Sequence, residues 1–409
     1  MDNRNKELAP GYNKTTKSSV KGKRLFNTTS LLKKEAAPQD TYYVTLPQLS
    51  QNQVIIPDTM ALVFKFKNSN TKSWFKNNLG RQLVEGLRVT MNGEVLFDNT
   101  GESILETYKD LWLNDEKRAS MLEYGIANQT IRKILSKDYS AATGGDNADD
   151  LVLAANQEVL KLKLGKILEG RGPYAPYNMG DFEYRIKLPK AENIMGAQSD
   201  ESVGSYKLTD INLEYETIEG NKIAKETKQQ YEMGRDLCFD YTTVLKTLEW
   251  DKNSTRELID VSIPRRSMKA IVILCQKKNA TESEEYVNFN VESVKVTIEG
   301  NPNSVYSQGL AKSDVYDEAR RFFGSRVNQC TDNLTKLQFL KNKYALVIDF
   351  RTIDEENIVK SGRRLVGAQA GVLLEITKKA TTENLMAHIF VVAHGHVVVQ
   401  NRNLQAVEY

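Results

Sequence analysis

The sequence holds three histidines, and all three fall in one short segment, LMAHIFVVAHGHVVVQN at residues 385–401. Histidine is the side chain that both binds metals and moves protons near neutral pH, so this is where chemistry is sought first. If residues 388–396 form one strand, His388, His394 and His396 share a face, because side chains alternate with a period of two. His394-x-His396 has the spacing at which two imidazoles on a strand reach one metal ion. A working site needs further nitrogen, sulfur or carboxylate ligands. The residues that follow are VVVQNRNLQAVEY: Gln400 stands near where a Glu is wanted, and Glu408 is twelve residues beyond His396. Gly395 splits the pair, and glycine inside a strand pattern marks a bulge or bend. The segment therefore reads as a late strand kinked at HGH, and not as a metal centre.

Other catalytic patterns are missing. There is no G-x-x-x-x-G-K-[ST] loop, no G-x-S-x-G and no H-E-x-x-H. A Ser or Cys nucleophile would have to take its base from the histidine strand. The acidic run Asp146, Asn147, Asp149, Asp150 lacks the alternation and the glycine of a calcium loop and reads as a solvated loop. Cys238, Cys275 and Cys330 form no C-x-x-C pair and no disulfide framework, which fits a reducing compartment. The expectation is a non-enzyme with no catalytic residues, no metal ligands and no cofactor. The 409 residues, 40% apolar and 27% charged with a net charge of +3, describe a globular chain of two domains without a global attraction to polyanions. No apolar run approaches a membrane helix, and the first residues, MDNRNKELAPGYNKTTK, have no apolar core for a secretory signal.

Strands must position whatever this chain does. TYYVTLP (41–47), VIIP (54–57), MALVFKFK (60–67), EYRIKLP (183–189) and YKLTDINLEYETI (206–218) are rich in β-branched and aromatic residues. LVEGLRVTMNGEVLFDN (83–99) carries Asn92-Gly93, a two-residue hairpin turn. The ESILETYKDLWLN stretch that follows places Ile104, Leu105, Tyr108, Leu111 and Trp112 on one helical face. Helix and turn are expected again in 116–136, a charged connecting helix at 221–235, and a helix around 310–323. The second half returns to strands at 238–250, 258–264, 268–275, 286–300, 344–350 and 371–377, followed by the histidine segment.

The halves repeat one another. Ile56-Pro57 and Ile263-Pro264 are 207 residues apart, each followed by a Met and an apolar strand; LRVTMNG and VKVTIEG end at Gly93 and Gly300, again 207 apart. IMGAQ (194–198) and LVGAQ (365–369) are 171 apart, which predicts about 36 extra residues in the first half, within 113–180. Long loops between many strands favour Greek-key connections. The predicted fold is all-β with short helical insertions, a tandem double jelly-roll sandwich. Its expected domains are a flexible basic arm at 1–40, a first jelly roll at 41–220 with a helical and loop insertion, the connecting helix at 221–235 and a second jelly roll at 236–409.

IIPDTMALVFKFK, LVEGLRVTMNGEVLFDN with its following helix, LVGAQAGVLLEI and the long final strand together resemble the double jelly-roll major capsid proteins, most closely those of Polinton (Maverick) and adintovirus-like elements and of virophages. The likeness spans roughly 41–405. It implies a homotrimer whose six sandwiches give a pseudo-hexameric capsomer that tiles an icosahedral shell. It implies neighbouring capsomers, penton and minor capsid proteins as partners, residence in a virion capsid, and assembly in a host nucleus or cytoplasm. The insertion within 113–180 would be a tower or an intersubunit element. The arm, with Lys21, Lys23, Arg24, Lys33 and Lys34, would face an internal membrane, the genome or a neighbouring capsomer. Two alternatives stand beside this reading. One is a tandem jelly-roll, cupin-like metal-binding enzyme using His394 and His396; cupins, however, need a Glu soon after that pair and a ligand in a later hairpin. The other is a carbohydrate-binding tandem β-sandwich.

Overall fold

The computed structural model describes residues 22–70, 72–138, 159–164, 166–168, 174, 181–198, 201–278, 280, 282–303, 315–324, 334–351, 362–366, 371–400 and 403–409. The first half contributes β1 (Lys23–Ser30), β2 (Thr41–Thr45), β3 (Gln53–Asn68), β4 (Ser73–Phe75), β5 (Gly86–Met91), β6 (Glu94–Thr100), β7 (Lys137–Asp138), β8 (Leu160–Lys163), β9 (Phe182–Lys187), β10 (Met195–Ala197) and β11 (Tyr206–Glu219). The second contributes β12 (Arg235–Trp250), β13 (Arg256–Val261), β14 (Arg265–Lys277), β15 (Val291–Ile298), β16 (Asn301–Pro302), β17 (Leu346–Asp349), β18 (Arg363–Leu365), β19 (Val372–Lys378), β20 (Leu385–Gln400) and β21 (Asn403–Glu408). The helices include α1 (Ser103–Asp110), α2 (Asn221–Met233), α3 (Val315–Phe323) and α4 (Lys336–Asn342), and the stretch expected to be helix and turn holds a further helix at Gln129–Leu135.

The strand order occurs twice. One sheet of the first half runs β1-β11-β3, with β7 and β8 beyond β3; the other runs β2-β9-β5-β6. The second half gives β12-β20-β14-β17, with β18 on β14 and β21 on β20, and then β13-β19-β15-β16. In each half the fourth strand of the second sheet closes a hairpin on the third, and the first and last long strands are neighbours. This is the Greek-key order of an eight-stranded jelly roll, made twice. In the first half, Tyr42 and Ile186 of one sheet and Leu62, Phe64 and Leu208 of the other line one apolar void of about 10 Å³, room for no more than a water. The two sheets therefore close face to face over a packed core.

The repeat extends to backbone angles. Asn92 and Gly93 have φ of 52° and 84°; Glu299 and Gly300 have 51° and 80°. Two successive positive φ values are what a two-residue hairpin with the twist of its strands requires. Each hairpin leads to a helix, α1 or α3. The third sequence motif is a different matter. Ile194–Ala197 lies after β9, whereas Leu365 closes β18 before β19, and β9 and β19 are the equivalent strands. The 171-residue offset thus joins positions that are not equivalent, because a five-residue match does not follow strand order. Register gives the true spacing: Met91 pairs with Phe182 and Ile298 with Val372, so the offset falls from 207 to 190 between them. Leu62 pairs with Leu213 and Ala270 with Val392, which lowers it to 179. The extra length of the first half is therefore divided between the β5–β9 and β9–β11 connections, and not gathered in 113–180 alone. The expected loop at 139–150 lies outside the described residues.

Packing divides the chain into two compact units that are not contiguous in sequence: residues 1–103, 119–239 and 395–408, and residues 104–118, 240–394 and 409. Leu105, Tyr108, Leu111 and Trp112 belong to the core of the second unit, with Tyr286, Phe339, Ile348 and Phe390. Tyr108 donates to the Lys343 carbonyl at 2.9 Å and meets Tyr286 edge-on at 5.0 Å. The amphipathic stripe expected in ESILETYKDLWLN is real, and its apolar partners come from the later sequence. At the other end, part of the stretch expected as an unpacked arm forms a strand: β1 pairs with β11 from Lys23↔Glu219 to Ser30↔Asn212. Leu25, Asn27 and Thr29 take the inward positions of a half-buried strand, a pattern too polar to have been read as one.

Candidate functional site

β20 carries the three histidines along one face, each partly buried. At a rise of about 3.3 Å per residue, His388 stands about 20 Å from His394 along the strand. His388 Nδ1 lies 3.1 Å from Thr247 Oγ1, and burial lowers its pKa to about 4. Burial lowers that of His394 to about 4 as well, helped by Lys269 and Arg351 and opposed by Asp240. Lys269 Nζ and Asp240 Oδ1 form an ion pair of 2.6 Å. Among the described residues no three His, Cys, Asp or Glu side chains gather as metal ligands. Gly395 makes no bulge in β20. A Cβ there would lie 2.6 Å from Cε2 of Phe239, so the ring lies directly on the backbone and excludes a side chain. The glycine also falls where β20 exchanges one neighbour for another: it pairs with β14 as far as Ala393 and with β21 from His396.

The basic residues expected to act as arm contacts are spread along β1 and the connection after it. Lys21 lies outside the described residues. Lys23 opens β1 opposite Glu219, and Arg24 Nε donates to Glu216 at 2.6 Å. Lys33 Nζ pairs with Asp40 at 2.7 Å and holds that carboxyl below its ordinary pKa. The Lys34 carbonyl accepts from the Ile211 amide at 3.2 Å. Arg24 and Lys33 thus answer acidic groups of their own unit.

The outward sheet faces hold residues that reading the sequence for catalytic motifs passed over. Tyr43, Arg185, Arg88 and Asp98 lie in register across β2, β9, β5 and β6. Leu258, Glu375 and Lys295 take the equivalent places on β13, β19 and β15. Tyr43 and Leu258 remain 54% and 58% exposed. The signal was present in the alternation of TYYVT, which sends Tyr42 and Val44 inward and Tyr43 out. No helix among the described residues is long and apolar enough to cross a membrane.

No family model matches the sequence. No curated protein matches it either. Solved structures do. The chain is similar to the crystal structure of PBCV-1 VP54 fitted into a reconstruction of the virophage Sputnik, at a TM-score of 0.60 and 7% identity over 97% of this chain and 99% of that one. The Faustovirus major capsid protein matches at 0.58 and 10% identity, over 94% and 91%. The mavirus major capsid protein matches at 0.54 and 9%, over 97% and 94%. Alignment of nearly the whole of each chain, together with the strand order found twice, identifies the fold as a double jelly roll.

Proposed function

We propose that this protein is the major capsid protein of a virus or virus-like element, a structural subunit and not an enzyme. The observation that carries the reading is the duplicated eight-stranded order aligned end to end with capsid proteins. Three copies, each with two jelly rolls, would present six sandwiches in a pseudo-hexameric outline, and such trimers would tile an icosahedral shell beside penton and minor capsid proteins. The likeness to Polinton-type elements, a first jelly roll that takes in β1 as well as the expected 41–220, a second at 236–409, and a role for the basic N-terminal stretch expected at 1–40 against membrane, genome or a neighbouring capsomer belong to the same proposal. The physics supports it: open sheet edges and exposed Tyr43 and Leu258 favour association, and closed threefold symmetry can cover them. The test is expression of the chain followed by negative-stain microscopy of the assembled fraction. Hexagonal capsomers or shells are expected; dispersed single subunits at every concentration would refute the reading.

A further inference from the structure

The outward faces of β2-β9-β5-β6 and β13-β19-β15-β16 correspond in position and differ in charge. On the first, Arg88 and Arg185 are directly opposite one another. Like charges in that relation destabilise a sheet unless something negative answers them. Arg88 reaches Asp98 at 3.8 Å, and Arg185 stacks on the Tyr43 ring at 5.4 Å. No carboxylate among the described residues pairs with Arg185. On the second face the position equivalent to Arg185 is Glu375, which lies between Leu258 and Lys295, and the next outward pair along is Asp260 and Leu373. Leu258 and Leu373, 58% and 44% exposed, stand beside these acids as Tyr43 stands beside Arg185. β2 and β13, which carry Tyr43 and Leu258, are both edge strands.

We propose that these faces bind each other between copies of the chain. The Tyr43–Arg185 face of one molecule receives the Leu258–Glu375 face of the next, with the Tyr43 ring against Leu258 and Leu373 and Arg185 answered by Glu375 and Asp260. Each molecule carries one face of each kind, so the contact is heterologous and repeats head to tail, closing a ring or extending an array. Glu375 is held at 3.1 Å by Arg256 of its own chain and lies opposite Lys295, but an exposed pair of this kind is worth at most about 1 kcal/mol, so Arg185 of a neighbour can compete for it. The inference rests on the capsid reading and adds the surface by which subunits recognise each other.

The experiment measures self-association of the full chain against concentration by light scattering. Three variants accompany the wild type: Arg185→Glu, the double variant Asp260→Lys with Glu375→Lys, and all three changes together. The substituted side chains point outward, so the variants should stay folded, with a modest fall in melting temperature where Glu375→Lys sets a like charge opposite Lys295 and loses the pair with Arg256; melting serves as the folding control. Either reversal alone should raise the concentration for half-association at least tenfold, and the combined variant should recover most of it. Association of Arg185→Glu at the wild-type concentration, or a combined variant no better than the single reversals, would overturn this surface and leave the capsid reading standing. A wild-type chain that never associates would remove both.

Discussion

His388 is neutral in the folded protein down to about pH 4 because burial disfavours its charged form. Unfolded, it would take up a proton near pH 6.5, so between these values the unfolded chain binds more protons than the folded one. The contribution is fully present above pH 6.5 and is lost as pH falls toward 4. At 1.36 kcal/mol per unit it reaches ~3 kcal/mol for this residue. Urea unfolding at pH 7 and at pH 4.5 should show His388→Gln losing ~2 kcal/mol less than wild type on acidification; equal losses would refute this account of the histidine. The shared face of the three histidines was legible from spacing alone. The reason for Gly395 was not, because the ring that occupies its side-chain space belongs to Phe239, far away in sequence.

Elements whose signal is local were legible. Asn92-Gly93 announces its hairpin, and the equivalent turn uses Glu299, whose φ of 51° is costly for a residue with a β-carbon and no short polar side chain. Glu299→Asn should therefore stabilise the protein by ~0.5–1 kcal/mol in thermal or urea unfolding; no gain would mean the turn relaxes to another geometry. α4 was missed even though Thr335 and Gln338 form a full capping box, a pattern visible as T-x-x-Q before an apolar run. The stripe on α1 was legible and its partner was not, since periodicity says that a face is buried and not where. Trp112, just beyond α1, packs against Tyr316, Phe323 and Phe339 of the second unit. Trp112→Ala should cost ~3–5 kcal/mol and lower the melting of that unit selectively, followed by hydrogen exchange of β14 and β17. Unchanged protection in those strands would show that the helix is peripheral.

At the scale of the molecule, two of the three repeat motifs marked a true duplication, because they sit on a hairpin and a strand entry that both jelly rolls need. The third misled, because register and not residue identity defines equivalence between sheets. The fold was therefore readable, whereas the faces that subunits would use were not: outward residues of a strand carry no periodic signal of their own partner. The central claim is that this chain is an assembling shell subunit, and the most direct test is its solution mass by light scattering. The account predicts a species near 139 kDa, three times the 46.3 kDa chain, with a hexagonal outline in stained images of the same peak. A single species of 46.3 kDa at every concentration would contradict it.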